Sequence, residues 1–228
     1  MIRSLRPVAV VLLIAALIGG TYTGYCYRRD RTPEAALMHI AHAVSTEDRE
    51  LFDTYVDEDA VLTTMHADAA ALLADNIAVL HERHPHDWFF RHDTAFMQNY
   101  MMQHRAEYIS MARMVLNFYF DAQRMPVTKE DGNARWGSDE MRAFAAHYTV
   151  SMDPAVIEDG RAYVTCSVRG DQSDYGQLMP EASVTMELLE QTDGRWKLVR
   201  IFTDTARTNG FYAFVDAAER YWVLQGWD

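Results

Sequence analysis

The feature that most constrains this chain is an uncharged apolar run close to its N-terminus. Residues 7–27 carry no charged side chain, and residues 8–18 read VAVVLLIAALI. As a helix rising roughly 1.5 Å per residue, such a run reaches about 30 Å, the depth of a bilayer's hydrocarbon. Its central part also has the length of a signal-peptide apolar region, which would end at a cut favouring small residues at the last and third-last positions. A cut after Gly20 puts Ile18 third from last, and a cut after Gly24 puts Tyr22 there. Tyr25 in front of Cys26 is too large for a lipidation site. The expectation is therefore an uncleaved anchor over residues 1–31, with a cleaved signal peptide as the alternative.

Orientation depends on the flanks. Arg3 and Arg6 precede the run, while Tyr22, Tyr25 and Tyr27 sit where an interfacial aromatic belt would lie. Arg28, Arg29 and Arg31 come next and, by the positive-inside rule, oppose export of the downstream chain. The short basic tail decides for N-terminus in and C-terminus out. This predicts a single-pass protein of the cell membrane, with residues 32–228 forming one domain outside the cytoplasm.

That domain is acidic. The chain carries a net charge of −12, and setting aside the five arginines and single acid of residues 1–31 leaves 16 basic against 32 acidic residues, a net of −16. Such a domain is repelled by phosphate backbones, so no nucleic acid is expected as partner, and it does not lie flat on anionic lipid. Two cysteines, Cys26 and Cys166, are too few for a disulfide scaffold, and no Cys-x-x-Cys suggests thiol redox chemistry.

Thr32-Pro33-Glu34 is a helix start, with a hydroxyl cap, proline in the first turn and an acid at the positive end of the dipole. Leu37, Ile40, Ala41 and Val44 give that helix its apolar face. Ser45, with Asp48 three residues on, predicts a second helix burying Leu51, Phe52, Tyr55 and Val56. Asp57-Glu58-Asp59 then breaks the pattern, and Ala69, Leu72, Leu73, Ile77 and Leu80 mark a third helix. Residues 87–125 lack glycine and proline, and their methionines and aromatics recur at helical spacing. One long helix, or two with a bend, is predicted, with the stripe serving as core. Residues 126–137 read as a polar loop, after which Ser138 should cap a short helix carrying Met141, Phe144 and Ala145.

Beyond this the period changes to two. Tyr148, Val150 and Met152 alternate, as do Ala162, Val164, Cys166 and Val168 after the Asp159-Gly160 turn. Residues 170–180 read as a loop. Ala182, Val184, Met186 and Leu188 follow, and Thr192-Asp193-Gly194 turns into a last strand containing Trp196 and Leu198, with Val199 and Ile201 among the rest. A helix from about Thr208, burying Phe211, Phe214, Val215, Ala218 and Trp222, closes the chain. Helices first and an antiparallel meander after predict an α+β fold.

Two stretches together carry a family resemblance: Pro33-Glu34-Ala35-Ala36-Leu37 through Asp48, Phe52 and Tyr55-Val56-Asp57 to Val61, and Asp193-Gly194-Arg195-Trp196-Lys197-Leu198-Val199. The pairing is similar to membrane-anchored bacterial domains of unknown function with a nuclear transport factor 2-like, cystatin-like cone fold. The resemblance implies an opening helical pair packed into a curved antiparallel sheet, with Trp-Lys-Leu-Val in a late strand. The helical segment 87–125 and the helix after the final strand depart from that pattern. No catalytic residue is implied, since the fold hosts both enzymes and binders.

Candidate chemistry is sparse. The sharpest cluster is His81, His84 and His86 with His92 beyond, and Pro85 keeps its members from sharing one helix face, so a solvated connector is expected rather than a zinc site. His39 and His42, three apart, read as boundary positions flanking the apolar stripe. A cone fold can bury an isomerase-type acid/base pair, an aspartate facing a tyrosine, for which Tyr55 with Asp57, or Tyr100 with Tyr119, could be named as members. Nothing in the spacing turns either pair inward, so neither is assigned a role. No metalloprotease, nucleophile-elbow or phosphate-loop motif is present. The functional expectation is a membrane-held binding or scaffolding domain contacting a protein or small apolar ligand, without cofactor, catalytic residue or metal. The alternative is a small-molecule enzyme with an acid/base site in the cone.

Overall fold

A computed structural model describes residues 31–83, 85–86, 91–121, 132–202, 217, 220–221 and 223–225. The expected anchor lies outside these, save Arg31. So do Phe211, Phe214, Val215, Ala218 and Trp222 of the expected last helix. Among the described residues no helix is long and apolar enough to cross a membrane.

The fold is α+β, with seven described helices packed on an antiparallel sheet. Helix α1 (Pro33–Thr46) begins as expected: the Thr32 hydroxyl accepts from Ala35 N at 3.1 Å, and Pro33 fills the first turn. It also runs further than expected. Ser45 and Thr46 donate their hydroxyls back to the His42 carbonyl, and the helix ends at Glu47 with φ 54. Asp48, not Ser45, therefore caps α2 (Arg49–Tyr55), accepting from Leu51 N at 3.0 Å. A second correction concerns Asp57-Glu58-Asp59, which starts a helix instead of breaking one. Asp57 caps α3 (Glu58–Asp75), and the two acids after it sit at the positive end of its dipole. Helix α4 (Ile77–Arg83) comes immediately after.

The segment expected as one or two helices is two, α5 (Thr94–Gln103) and α6 (Arg105–Asp121), parting at His104. Its stripe is partly core, since Met97, Met101, Phe118, Tyr119 and Phe120 are buried, while Met102, Tyr108 and Met111 are exposed. Helix α7 (Gly132–Ala145) contradicts the loop expected up to Gly137. Ser138 is buried inside it and receives Arg142 at 3.0 Å, so it cannot be a cap.

The sheet comprises β1 (Tyr148–Met152), β2 (Val156–Glu158), β3 (Arg161–Gly170), β4 (Glu181–Glu190) and β5 (Trp196–Phe202). Both β1 and β2 pair with the same edge of β3, then β4 and β5 follow in order, every pairing antiparallel. Asp159 (φ 48) and Gly160 (φ 73) turn β2 into β3 with the two positive φ values that favour such a pair. Two irregularities shape the faces. Between β1 and β2 the register slips by one residue at 153–155. In β5 Val199 is an extra residue between the pairs Glu187–Arg200 and Leu188–Leu198. That bulge lets Leu198 and Ile201 share the core face while Arg200 takes the opposite one.

Ala162, Val164, Cys166, Leu188, Trp196 and Leu198 meet Ala36, Leu37, Phe52, Tyr55, Tyr119 and Phe120 in the main core. Cys166 is a free, buried thiol. A fully buried side chain such as Leu188 contributes about 1.5–3 kcal/mol by leaving water. On the other face Asp68 of α3 grips Arg200 at 2.7 and 3.1 Å, and the guanidinium lies 4.2 Å over the Phe202 ring. Thr185 and Glu187 are buried there, Glu187 paired with Arg161.

Candidate functional site

The two edges of this sheet are treated differently. Beyond β5, Val56 forms a parallel bridge to Leu198, and Asp57 N donates to the Leu198 carbonyl at 2.9 Å. Helix α3 packs along that strand too. The β1–β2 edge has no such cover among the described residues. Val150, Met152 and Ile157 oppose Val168, Cys166 and Ala162, so they belong to the core face. They are nonetheless 60, 38 and 57 % exposed. Among the described residues the apolar face of the sheet thus runs on past its helices as an open shelf, floored by an edge strand. Natural edges are usually blunted by charge, proline or a bulge. Here Pro154 and the slip at 153–155 interrupt the edge at its middle, where Glu34 Oε1 accepts Ala155 N at 2.9 Å, and β1 itself carries no charge. Burial opposes ionisation of Glu34, but the N–H groups of Ala155 and of Glu34 itself and the Thr32 hydroxyl outweigh it and lower the carboxyl's pKa.

At the far end of β1 three residues combine in a way that resembles a catalytic triad. His147 Nδ1 lies 2.9 Å from Asp171 Oδ2 and 3.0 Å from Ser173 Oγ, and the Ser173 hydroxyl donates to Asp171 Oδ1. A hydrolytic triad needs carboxylate and hydroxyl on opposite ring nitrogens. Both meet Nδ1 here, so the ring cannot carry a proton from one to the other. The remaining contacts fold a loop: Ser173 N donates to Asp171 Oδ1, Gly176 N to Ser173 Oγ, and Gln177 Nε2 to the Asp171 carbonyl. The loop doubles back so tightly that a methyl at Gly170 would strike the Gly176 carbonyl. Tyr175 stacks on His147 at 5.7 Å, and Arg220 donates to the carbonyls of Gln177 and Leu178.

The Ser173 hydroxyl is the main reason, with His147 second, that the Asp171 carboxyl is held down to about 2. A lowered carboxyl supports the loop at every pH above its ordinary value of about 3.9, and that support fades as pH falls towards the folded value. Ser173→Ala should let Asp171 titrate closer to about 3.9, which carbon-detected NMR of its carboxyl reads directly. An unchanged titration would mean that the hydroxyl does not hold the charge.

A third feature lies on the helices. Met102, Gln103, Arg105, Ala106, Ile109, Ser110 and Arg113 line an open groove of about 490 Å³. Beside it His92, Phe96, Tyr100 and His104 recur every fourth residue, ring on ring at 3.9, 5.8 and 4.4 Å. His66 faces Tyr108 at 6.0 Å, and burial, then the charge of Arg105, lowers the pKa of its imidazole. The groove is shallow and already half satisfied: Arg113 is tied to Glu58 and Asp59.

The side chains singled out from sequence are not brought together. His81 and His86 are exposed, His84 lies outside the described residues, and His92 stacks on Phe96. Among the described residues no three His, Cys, Asp or Glu side chains are grouped to hold a metal ion. His39 stacks on Tyr55 at 4.8 Å and His42 is exposed, as boundary positions should be. Asp57 is engaged as a helix cap, and Tyr119 donates to the Val44 carbonyl at 3.0 Å. Sequence reasoning misses the open shelf because alternation signals burial whether or not a helix covers the strand. Pro154, between the two short apolar stretches at 148–152 and 156–157, is the available sign of an edge strand. The His147 cluster has a weaker sign in Asp171-Gln172-Ser173, a spacing that favours side-chain turns.

No family model, no curated protein and no solved structure matches this chain.

Proposed function

We propose that this chain is a membrane-anchored binding or scaffolding domain, displayed outside the cytoplasm, whose contact surface is the open shelf of β1 and β2. One observation carries the reading: Val150, Met152 and Ile157 continue the core face of the sheet yet stay 38–60 % exposed, while the opposite edge is met by Val56 at Leu198. Apolar surface contiguous with a core and left open marks a contact site more often than isolated exposed side chains do. The anchor rests on the uncharged run of residues 7–27. Kinship with the nuclear transport factor 2-like cone is part of the same proposal. In its favour, α1 and α2 pack together against β5, the strand that holds Trp196-Lys197-Leu198-Val199. No cofactor enters this reading.

A small-molecule enzyme is the second reading, and the oriented imidazole of His147 is what favours it. Its partners serve loop folding and it lies at a loop surface, so the binding reading is preferred. Two measurements test the first reading. A reporter active only in the cytoplasm, fused to the C-terminus of the full chain, should stay silent. A photoreactive residue at Ile157, in native membranes, should give a discrete adduct that the same residue at exposed Glu50 does not. Reporter activity would overturn the orientation, and absence of any adduct would overturn the shelf as a contact surface.

A further inference from the structure

We infer that His66 is an acid-sensitive latch, whose protonation frees α5 and α6 from α3 while the sheet stays folded.

His66 lies midway along α3, the helix on which both α5 and α6 pack. Its own neighbours one turn away, Leu62, Thr63, Ala69 and Ala70, carry no charge. From α6, Tyr108 brings its ring to 6.0 Å and Arg105 brings a positive charge. From α5 comes the Met101 carbonyl, which draws the ring's proton. That proton belongs to Nδ1, because Nε2 is buried and meets no hydrogen-bond partner among the described residues. A second proton therefore creates a buried N–H with no acceptor, on a ring that the Arg105 guanidinium already repels. Burial is the larger obstacle and the Arg105 charge the smaller. Together they outweigh the carbonyl and lower the imidazole's pKa.

The charged groups on the elements around α3 do not supply a counter-charge. Tyr108 stays a neutral phenol, since burial and then Tyr100 push its pKa up. Arg113 of α6 is engaged with Glu58 and Asp59, Arg200 of β5 with Asp68, and Glu107 with His104 at 2.8 Å. His81, Glu82 and Arg83 of α4 come after the C-terminal end of α3. The Glu107 pair has a second effect. A proton on His104 faces that carboxylate and holds the α5–α6 corner together, so the two helices leave as one piece. What they uncover is Met97 and Met101, the buried face of α5. The closed latch is the neutral one. Its hold is complete above the ordinary imidazole value of about 6.5 and is lost as pH falls through the lower, closed-state value.

The test uses the detergent-extracted full chain with isotope-labelled histidine. The His66 resonance, identified by its contact with the Tyr108 ring, should titrate below about 6.5. Amide exchange, corrected for its intrinsic pH dependence, should rise several-fold in α5 and α6 between about pH 8 and about pH 5, with the β3–β4 amides unchanged. In His66→Gln, which keeps a donor for the Met101 carbonyl but takes no charge, that rise should disappear. A titration at or above about 6.5, no rise, or the same rise in His66→Gln overturns the latch. A rise that is equal over the sheet is global acid unfolding and overturns it too. Arg105→Gln repeats the test if the glutamine variant at His66 fails to fold. Removing that exposed charge should move the His66 titration upward and shrink the rise, and a titration and rise that both stay put overturn the inference.

Discussion

Replacing Leu188 by Ala should cost the domain about 2–5 kcal/mol, the largest loss expected from any single truncation on β4. Leu188 is completely buried, with Ala162 opposite it on β3 and Leu198 on β5, at the point where the sheet meets the helices. Ala162 is too small to fill the space, and the bulge at Val199 fixes β5 so that Leu198 cannot slide inward. The lost methyl groups leave a cavity whose lining loses contacts on one side. For a domain of this size each kcal/mol lowers the thermal midpoint by about 3 °C, so a fall of roughly 6–15 °C is expected. Urea denaturation tracked by tryptophan fluorescence measures it, since Trp196 lies in the same core. A loss under about 1 kcal/mol would mean that the sheet repacks freely around this position.

The second large effect belongs to Glu58. Its carboxylate, 13 % exposed, accepts Arg49 at 2.7 Å and Arg113 at 2.8 Å, and so joins α2, α3 and α6 at one point. Arg49 is further tied to Asp53 and Asn117, and Arg113 to Asp59. Removing the shared carboxylate leaves two guanidinium groups facing one another, partly desolvated. Breaking a charged hydrogen bond of this kind costs about 1–3 kcal/mol, short of the cost in a fully dry interior because both arginines keep some water. Glu58→Ala should lose that amount and raise amide exchange in α6, with the β3–β4 amides little changed. Glu58→Gln, which keeps the shape and one acceptor, should recover part of it. Wild-type stability in both variants, with unaltered exchange, would show that the cluster contributes nothing to holding the three helices together.

Much of the architecture is legible in the sequence because short-range chemistry decides it. The Thr32-Pro33 start, the Asp159-Gly160 turn and the alternation from Ala162 to Val168 each depend on a handful of adjacent residues. The errors share another cause. Asp57-Glu58-Asp59 reads equally as the end of one helix or the start of the next, and its neighbours in space decide, since Arg49 and Arg113 gather on Glu58. Ser138 has the chemistry of a cap, yet Arg142 draws it into the interior of α7. Val150 and Met152 have the pattern of core residues, but they are 60 and 38 % exposed, which no local pattern records. The candidate surface is the least legible part, because an open edge is defined by what does not cover it.

The bridge from Val56 to Leu198 has a consequence for assembly size. A sheet with two open edges is a monomer in the chemist's sense, able to add units at both ends and grow into a fibre. With Leu198 of β5 met by its own chain, that edge of the sheet is capped at this point among the described residues. Val56 and Asp57, between α2 and α3, thus act as a chain stopper on β5, and removing their contact with Leu198 should raise concentration-dependent association, read by light scattering.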